Sequence, residues 1–149
     1  MAVPDPERDP QFYDGVPLRR LVAFVIDSVL ILLLMWVIGL VGMLAGVLTL
    51  GLALPVFAVL FMSAGFFYRW LLIAQQSATI GMAMTGIELR RADGERLDGV
   101  TAFLHTGGFY VCLAVFVLMI ASIVIMFGSA HRRMLHDLVL GTVMINRPV

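Results

Sequence analysis

Leu18-Arg-Arg-Leu-Val-Ala-Phe-Val-Ile-Asp-Ser-Val-Leu-Ile-Leu-Leu-Leu-Met-Trp36 is the stretch on which the fold turns. Arg19 and Arg20 open an apolar run that continues to about Ala45 and holds one ionisable group, Asp27. A membrane crossing takes about 20 such residues, so the run reads as a transmembrane helix. Arg20 and Asp27 lie about two helical turns apart, near one face and roughly 10 Å from each other along the axis. A carboxylate at that depth costs about 2.5–3.5 kcal/mol on insertion scales and calls for a partner, a proton or a water-filled path.

The rest of the chain agrees with a membrane setting. Its 149 residues are 61% hydrophobic with a mean hydropathy of +1.01, too apolar for a soluble domain. The ten basic residues are all arginine and balance ten acidic ones, so no basic surface invites nucleic acid. Cys112 is the single cysteine; it cannot form an intrachain disulfide and reads as a buried, inert thiol.

Residues 1–17 form a polar, proline-bearing arm with four acidic residues, unlike the basic start of a cleavable signal peptide, so the run after Arg20 is expected to stay in the membrane uncleaved. Residues 18–147 read as one membrane domain, with spans at about 21–45 and 48–74 joined through the uncharged Gly42-Met-Leu-Ala-Gly46 by a tight turn into an antiparallel hairpin. Gly39, Gly42 and Gly46 on the first helix, and Ser63, Ala64 and Gly65 on the second, allow close backbone approach, within the hairpin or between copies. Arg69 falls at nearly the depth of Asp27 across that hairpin. It either pairs with Asp27 or snorkels to the headgroups beside Tyr68 and Trp70.

The polar loop 75–100 carries Ile87 to Arg91, an alternating strand-like run, and Asp93-Gly94, a tight-turn signal. Arg90, Arg91 and Arg96 place this loop in the cytoplasm, and Arg8, Arg19 and Arg20 place the N-terminus there too. The segment 101–127 leaves two readings open. One crossing would put His131, Arg132, Arg133 and Arg147 outside, against the positive-inside bias. A bent, re-entrant pair of short helices keeps the tail, 128–149, cytoplasmic, and the run supplies only about 40 Å of helix where two full crossings need about 60 Å. In that case Gly141 to Asn146 is placed to pair with Ile87 to Arg91. The expected fold is thus an all-α integral membrane protein: a two-helix transmembrane hairpin, a third membrane-embedded helical segment that is either a single span or re-entrant, and a short cytoplasmic β element.

With these features in place the chain resembles the RDD family of small bacterial membrane proteins. That family is named for an arginine opening the first membrane helix, an aspartate within that helix and a second aspartate near the C-terminus. Arg20, with Arg19 as the alternative, matches the first and Asp27 the second. Leu135-His-Asp-Leu-Val-Leu-Gly-Thr-Val143 matches the C-terminal motif, with Asp137 as the second aspartate and His136, Gly141 and Thr142 around it. Thr79-Ile-Gly-Met-Ala-Met-Thr-Gly-Ile-Glu-Leu89 resembles the family's threonine-x-glycine stretch, carried by Thr79 and Gly81, though Met82 to Met84 stand where members often have basic residues. The resemblance implies a multi-pass protein of the bacterial cytoplasmic (inner) membrane that transports a small ion or solute, with sodium/proton exchange proposed for a member. Two or three spans enclose no pathway alone, so such a transporter is expected to be a homo-oligomer. The alternative is a non-catalytic auxiliary subunit of a larger membrane complex.

Two chemistries compete at Asp27: cation and proton exchange by a desolvated carboxylate, or a structural ion pair with Arg20, Arg69 or the tail. Asp137 either completes a two-carboxylate cation site with Asp27 or receives Arg19 or Arg20 and clamps the tail to the first helix. His131, His136 and Asp137 make a weak metal set, short of the four ligands a structural site takes, and His105 is expected at an interface. No phosphate loop, nucleophile signature, paired-histidine zinc motif or haem motif is present, so neither catalysis nor a cofactor is expected.

Overall fold

The computed structural model describes residues 3–147. Met1 and Ala2 of the expected arm and Pro148 and Val149 of the expected tail lie outside them. The architecture is mostly helical. Helix α1 spans Val16–Leu48, α2 Leu54–Gln76, α3 Ile80–Met84, α4 Gly99–Ala114, α5 Phe116–Gly128 and α6 Leu135–Leu140. Two of these helices are long and apolar enough to cross a membrane, and the α4–α5 pair raises the number to three if it counts as one span.

The α1–α2 turn lies at Thr49–Ala53, later than the glycines suggested. Thr49 closes α1 through its N–H to the Ala45 carbonyl oxygen (2.9 Å), and Pro55 falls in the first turn of α2, where its missing N–H costs nothing. The glycines of α1 lie within the helix and pack inside the hairpin. A Cβ on Gly42 would stand 2.8 Å from Phe57 Cβ, and one on Gly46 would stand 2.6 Å from a Leu54 methyl, so the two backbones approach as closely as these glycines permit. Gly65 performs the same task toward α4, with the Tyr110 hydroxyl 2.6 Å from where its Cβ would be.

The third apolar segment is bent by 113° between α4 and α5, at an extended Val115. Asp98 starts α4 by taking the Thr101 N–H at 2.7 Å, and that bond holds the exposed Asp98 carboxyl below its ordinary range. Phe66 and Trp70 of α2 meet Phe103 of α4 edge-on at centroid distances of 5.2 and 5.3 Å.

Strand β1, Ile87–Arg91, pairs antiparallel with β2, Thr142–Asn146, so that Ile87 faces Asn146 and Arg91 faces Thr142. The strand-like run therefore pairs with the distant tail, while Asp93-Gly94 makes a local turn closed by the Gly94 N–H on the Arg91 carbonyl (2.8 Å). The main buried cluster gathers here. Val16 and Ala23 of α1, Ile73 of α2, Met82 of α3, Ile87 and Leu89 of β1 and Met144 of β2 pack together, so the open end of the hairpin, opposite its turn, carries a hydrophobic core of its own.

Candidate functional site

At that same end two fully buried carboxylates are each saturated. Asp27 Oδ1 accepts the Tyr68 hydroxyl and the Gly81 N–H, both at 2.9 Å. Its Oδ2 accepts the Thr79 hydroxyl at 2.6 Å and stands 3.5 Å from Arg69 Nη1. Three hydrogen-bond donors and the Arg69 cation thus engage both carboxylate oxygens, two groups to each. Arg69 also stacks over Phe109, its guanidinium carbon 4.6 Å from the ring centroid, which holds the cation on its apolar side. It is buried and paired, not snorkelled.

Thr79 performs two tasks with one hydroxyl. It caps α3 by accepting the Met82 N–H at 3.2 Å and donates its own proton to Asp27. Gly81 is required by closeness: a Cβ there would overlap the Ala23 carbonyl oxygen and stand 2.8 Å from Asp27 Oδ1. Gly81→Ala should therefore push α3 off α1 and cost about 1–3 kcal/mol, within the usual range for overpacking. Thermal unfolding in mild detergent measures it, and an unchanged midpoint would show that α3 does not dock as described.

Asp137 repeats the pattern from the tail. Standing third in α6, it accepts the Met134 N–H at 3.1 Å and so starts its own helix. Arg20 Nη1 donates to the same Oδ2 at 2.7 Å, while His105 Nε2 (2.9 Å) and the Thr142 hydroxyl (3.2 Å) share Oδ1. Burial would push this carboxyl up, but Arg20 and then His105 outweigh it and hold it well below the usual carboxylate range. Gly141, at φ 63°, ends α6 and turns the chain into β2.

The arginines thus divide. Arg20 and Asp27 belong to separate pairs, Arg20 with Asp137 and Arg69 with Asp27. Arg19 instead donates to the Thr85 carbonyl oxygen at 3.2 Å. The weak metal set is also reassigned: His131 packs edge-on against Tyr13 at 5.6 Å, and His105 takes its place beside His136 and Asp137, with the ligand atoms of all three within 4.8 Å of one another. The Arg20 guanidinium on Asp137 opposes any cation there. Sequence reasoning put His105 at an interface because nothing near it signals a partner 32 residues onward. Tyr68 entered only as a neighbour of Arg69.

Burial pushes the His136 imidazole down to about 4, against the pull of Asp137. Its folded value lies below its unfolded one, so the stability it supports is complete above about pH 6.5 and is lost as pH falls toward about 4. The loss should amount to about 3 kcal/mol, and Asp137, whose folded value also lies below its unfolded one, adds its own loss mainly below this window. Detergent melting curves at pH 7 and pH 4.5 test this. His136→Phe should flatten the difference, and an equal slope in that variant would place the titration elsewhere.

Both pairs border one cavity of about 400 Å³ between α1, α2 and the α4–α5 elbow. Arg20, Asp27, Arg69, His105 and His136 line it together with an otherwise apolar wall that includes Phe24, Phe109 and several methionines. Leu21, Ile123 and Phe127 also line it and are 59%, 40% and 61% exposed, so they form its lips on the outer faces of α1 and α5.

No curated protein and no solved structure matches the chain. The family model described as RDD family matches residues 15–141, from the turn before α1 to the glycine that ends α6, and so takes in both arginine–aspartate pairs. The chain belongs to the RDD family.

Proposed function

We propose that the protein binds and transports a small solute that enters from the lipid side, as a homo-oligomer in the bacterial inner membrane with its N-terminus and arginine-rich loop in the cytoplasm. The observation that carries this reading is the cavity of about 400 Å³, a size that suits small ligands, with its charged groups grouped among apolar walls and its lips on outward-facing helix surfaces. The two arginine–aspartate pairs are the frame of that cavity. Exchange of a cation against a proton at Asp27 has less support, because three hydrogen-bond donors already engage its oxygens and Arg69 supplies the balancing charge.

One observation favours an auxiliary subunit instead. Helix α1 is about 50 Å long against a hydrocarbon core of about 30 Å, and the hairpin tip beyond it bears Leu48, Leu50 and Leu52, which are 77%, 95% and 84% exposed. An untilted α1 would lift this apolar tip out of the hydrocarbon and toward a partner.

Gentle extraction from the native membrane at natural abundance, followed by native mass spectrometry, separates the readings. A small multiple of 16.4 kDa carrying a low-mass adduct that is lost in Ile123→Trp supports the transporter. Migration within a much larger complex supports the subunit and overturns the homo-oligomer.

A further inference from the structure

We propose that the occupant of the cavity is an uncharged amphiphile whose head carries carbonyl acceptors, held against Arg20 and Thr106, and whose apolar tail leaves between Leu21 and Phe127 toward the lipid. This rests on the reading of the cavity as a solute site and adds the chemical class of the solute.

Charge comes first. The buried ionised groups around the cavity are Arg20 and Arg69 against Asp27 and Asp137, two cations and two anions that cancel. An ionised head would leave an uncompensated charge among apolar walls, which is far more costly than burying a neutral polar group that finds its hydrogen bonds.

Hydrogen-bonding capacity comes second. Each oxygen of the two carboxylates is already engaged by two groups, whereas donors remain. Nε and Nη2 of Arg20 and the hydroxyl of Thr106 are buried and find no partner among the described residues, and both residues line the cavity. Buried donors of this kind are costly until matched, which selects an acceptor-bearing head. His105 directs its Nε2 to ionised Asp137, so in the neutral ring Nδ1, also unpartnered, is left as one acceptor for a hydroxyl.

Shape comes third. Met119, Met126 and Met134 supply a deformable apolar wall, and the lips are exposed on helix faces with no other covering among the described residues. Two membrane sources carry this chemistry, an isoprenoid quinone and a neutral acyl ester such as a diacylglycerol.

The full chain, delipidated in dodecyl maltoside, should be titrated with decylubiquinone, dioctanoylglycerol, myristic acid and dodecylamine, with binding read by native mass spectrometry. At least one of the first two should bind at least tenfold more tightly than either charged probe, and which one binds identifies the source. Ile123→Trp should weaken that binding at least tenfold with an unchanged melting midpoint. Leu21→Trp on the opposite lip repeats the test if the first variant misfolds. Equal or tighter binding of myristate or dodecylammonium would overturn the neutral class and leave the cavity reading standing. Absence of saturable, lip-sensitive binding by all four probes would overturn both.

Discussion

Asp137→Ala should lower the stability of the folded protein by about 3–5 kcal/mol, because it leaves the buried Arg20 cation without its counter-charge. The same change strands the His105 ring nitrogen and the Thr142 hydroxyl and removes the acceptor that starts α6. Since β2 follows α6 directly, the tail should come away with it: the Ile87–Asn146 ladder loses its anchor to α1. Hydrogen exchange should therefore show lost protection in both strands along with a lower melting midpoint. Arg20→Met combined with Asp137→Leu should recover the part of the loss that comes from the stranded cation, since two apolar residues of similar volume are often neutral where a broken buried pair is not. The His105, Thr142 and α6 contacts stay lost. If the single variant melts like the wild type, Asp137 is not the clamp.

The parts of this fold that were legible in the sequence rest on local periodicity and on depth. The apolar runs announce α1 and α2, and Arg69 could be set against Asp27 because a hairpin fixes the depth of one helix relative to the other. The pairing of Ile87–Arg91 with the tail was foreseeable because Gly141 marks the point where the tail changes from helical to alternating. The turn between α1 and α2 was misplaced for a physical reason. Glycine permits both a turn and a close helix contact, and Gly42 and Gly46 are used for the second against Phe57 and Leu54.

Partner choice was the harder matter. Arg20 sits two turns from Asp27 on one helix, yet each joins a group from another element. Within one rigid helix the separation along the axis, roughly 10 Å, is too great for contact, and only the folded tail shows which carboxylate reaches Arg20. His105 was invisible for the same reason. Its role depends on α6 lying against α4, a packing that no spacing near His105 encodes.

Asp27→Asn should also destabilise by about 3–5 kcal/mol, again as a broken buried pair, and it separates the two chemistries proposed for this carboxylate. The amide keeps the shape of the side chain but turns one acceptor into a donor, so the Thr79 hydroxyl and Arg69 face an N–H where they had an oxygen, or the Tyr68 and Gly81 donors do. Arg69 keeps its stacking on Phe109, which places the loss toward the lower end of the range. Adding Arg69→Met removes the stranded cation and should return much of the melting midpoint. That double variant is the informative one. If Asp27 is frame alone, the folded double variant binds its solute with an affinity near that of the wild type, because the cavity lips and the Arg20 side are unchanged. If the carboxylate carries a proton or a cation, the double variant folds and yet gives no pH-driven cation flux in proteoliposomes where the wild type does. The three donors and the Arg69 cation that engage Asp27 lead us to expect the first outcome.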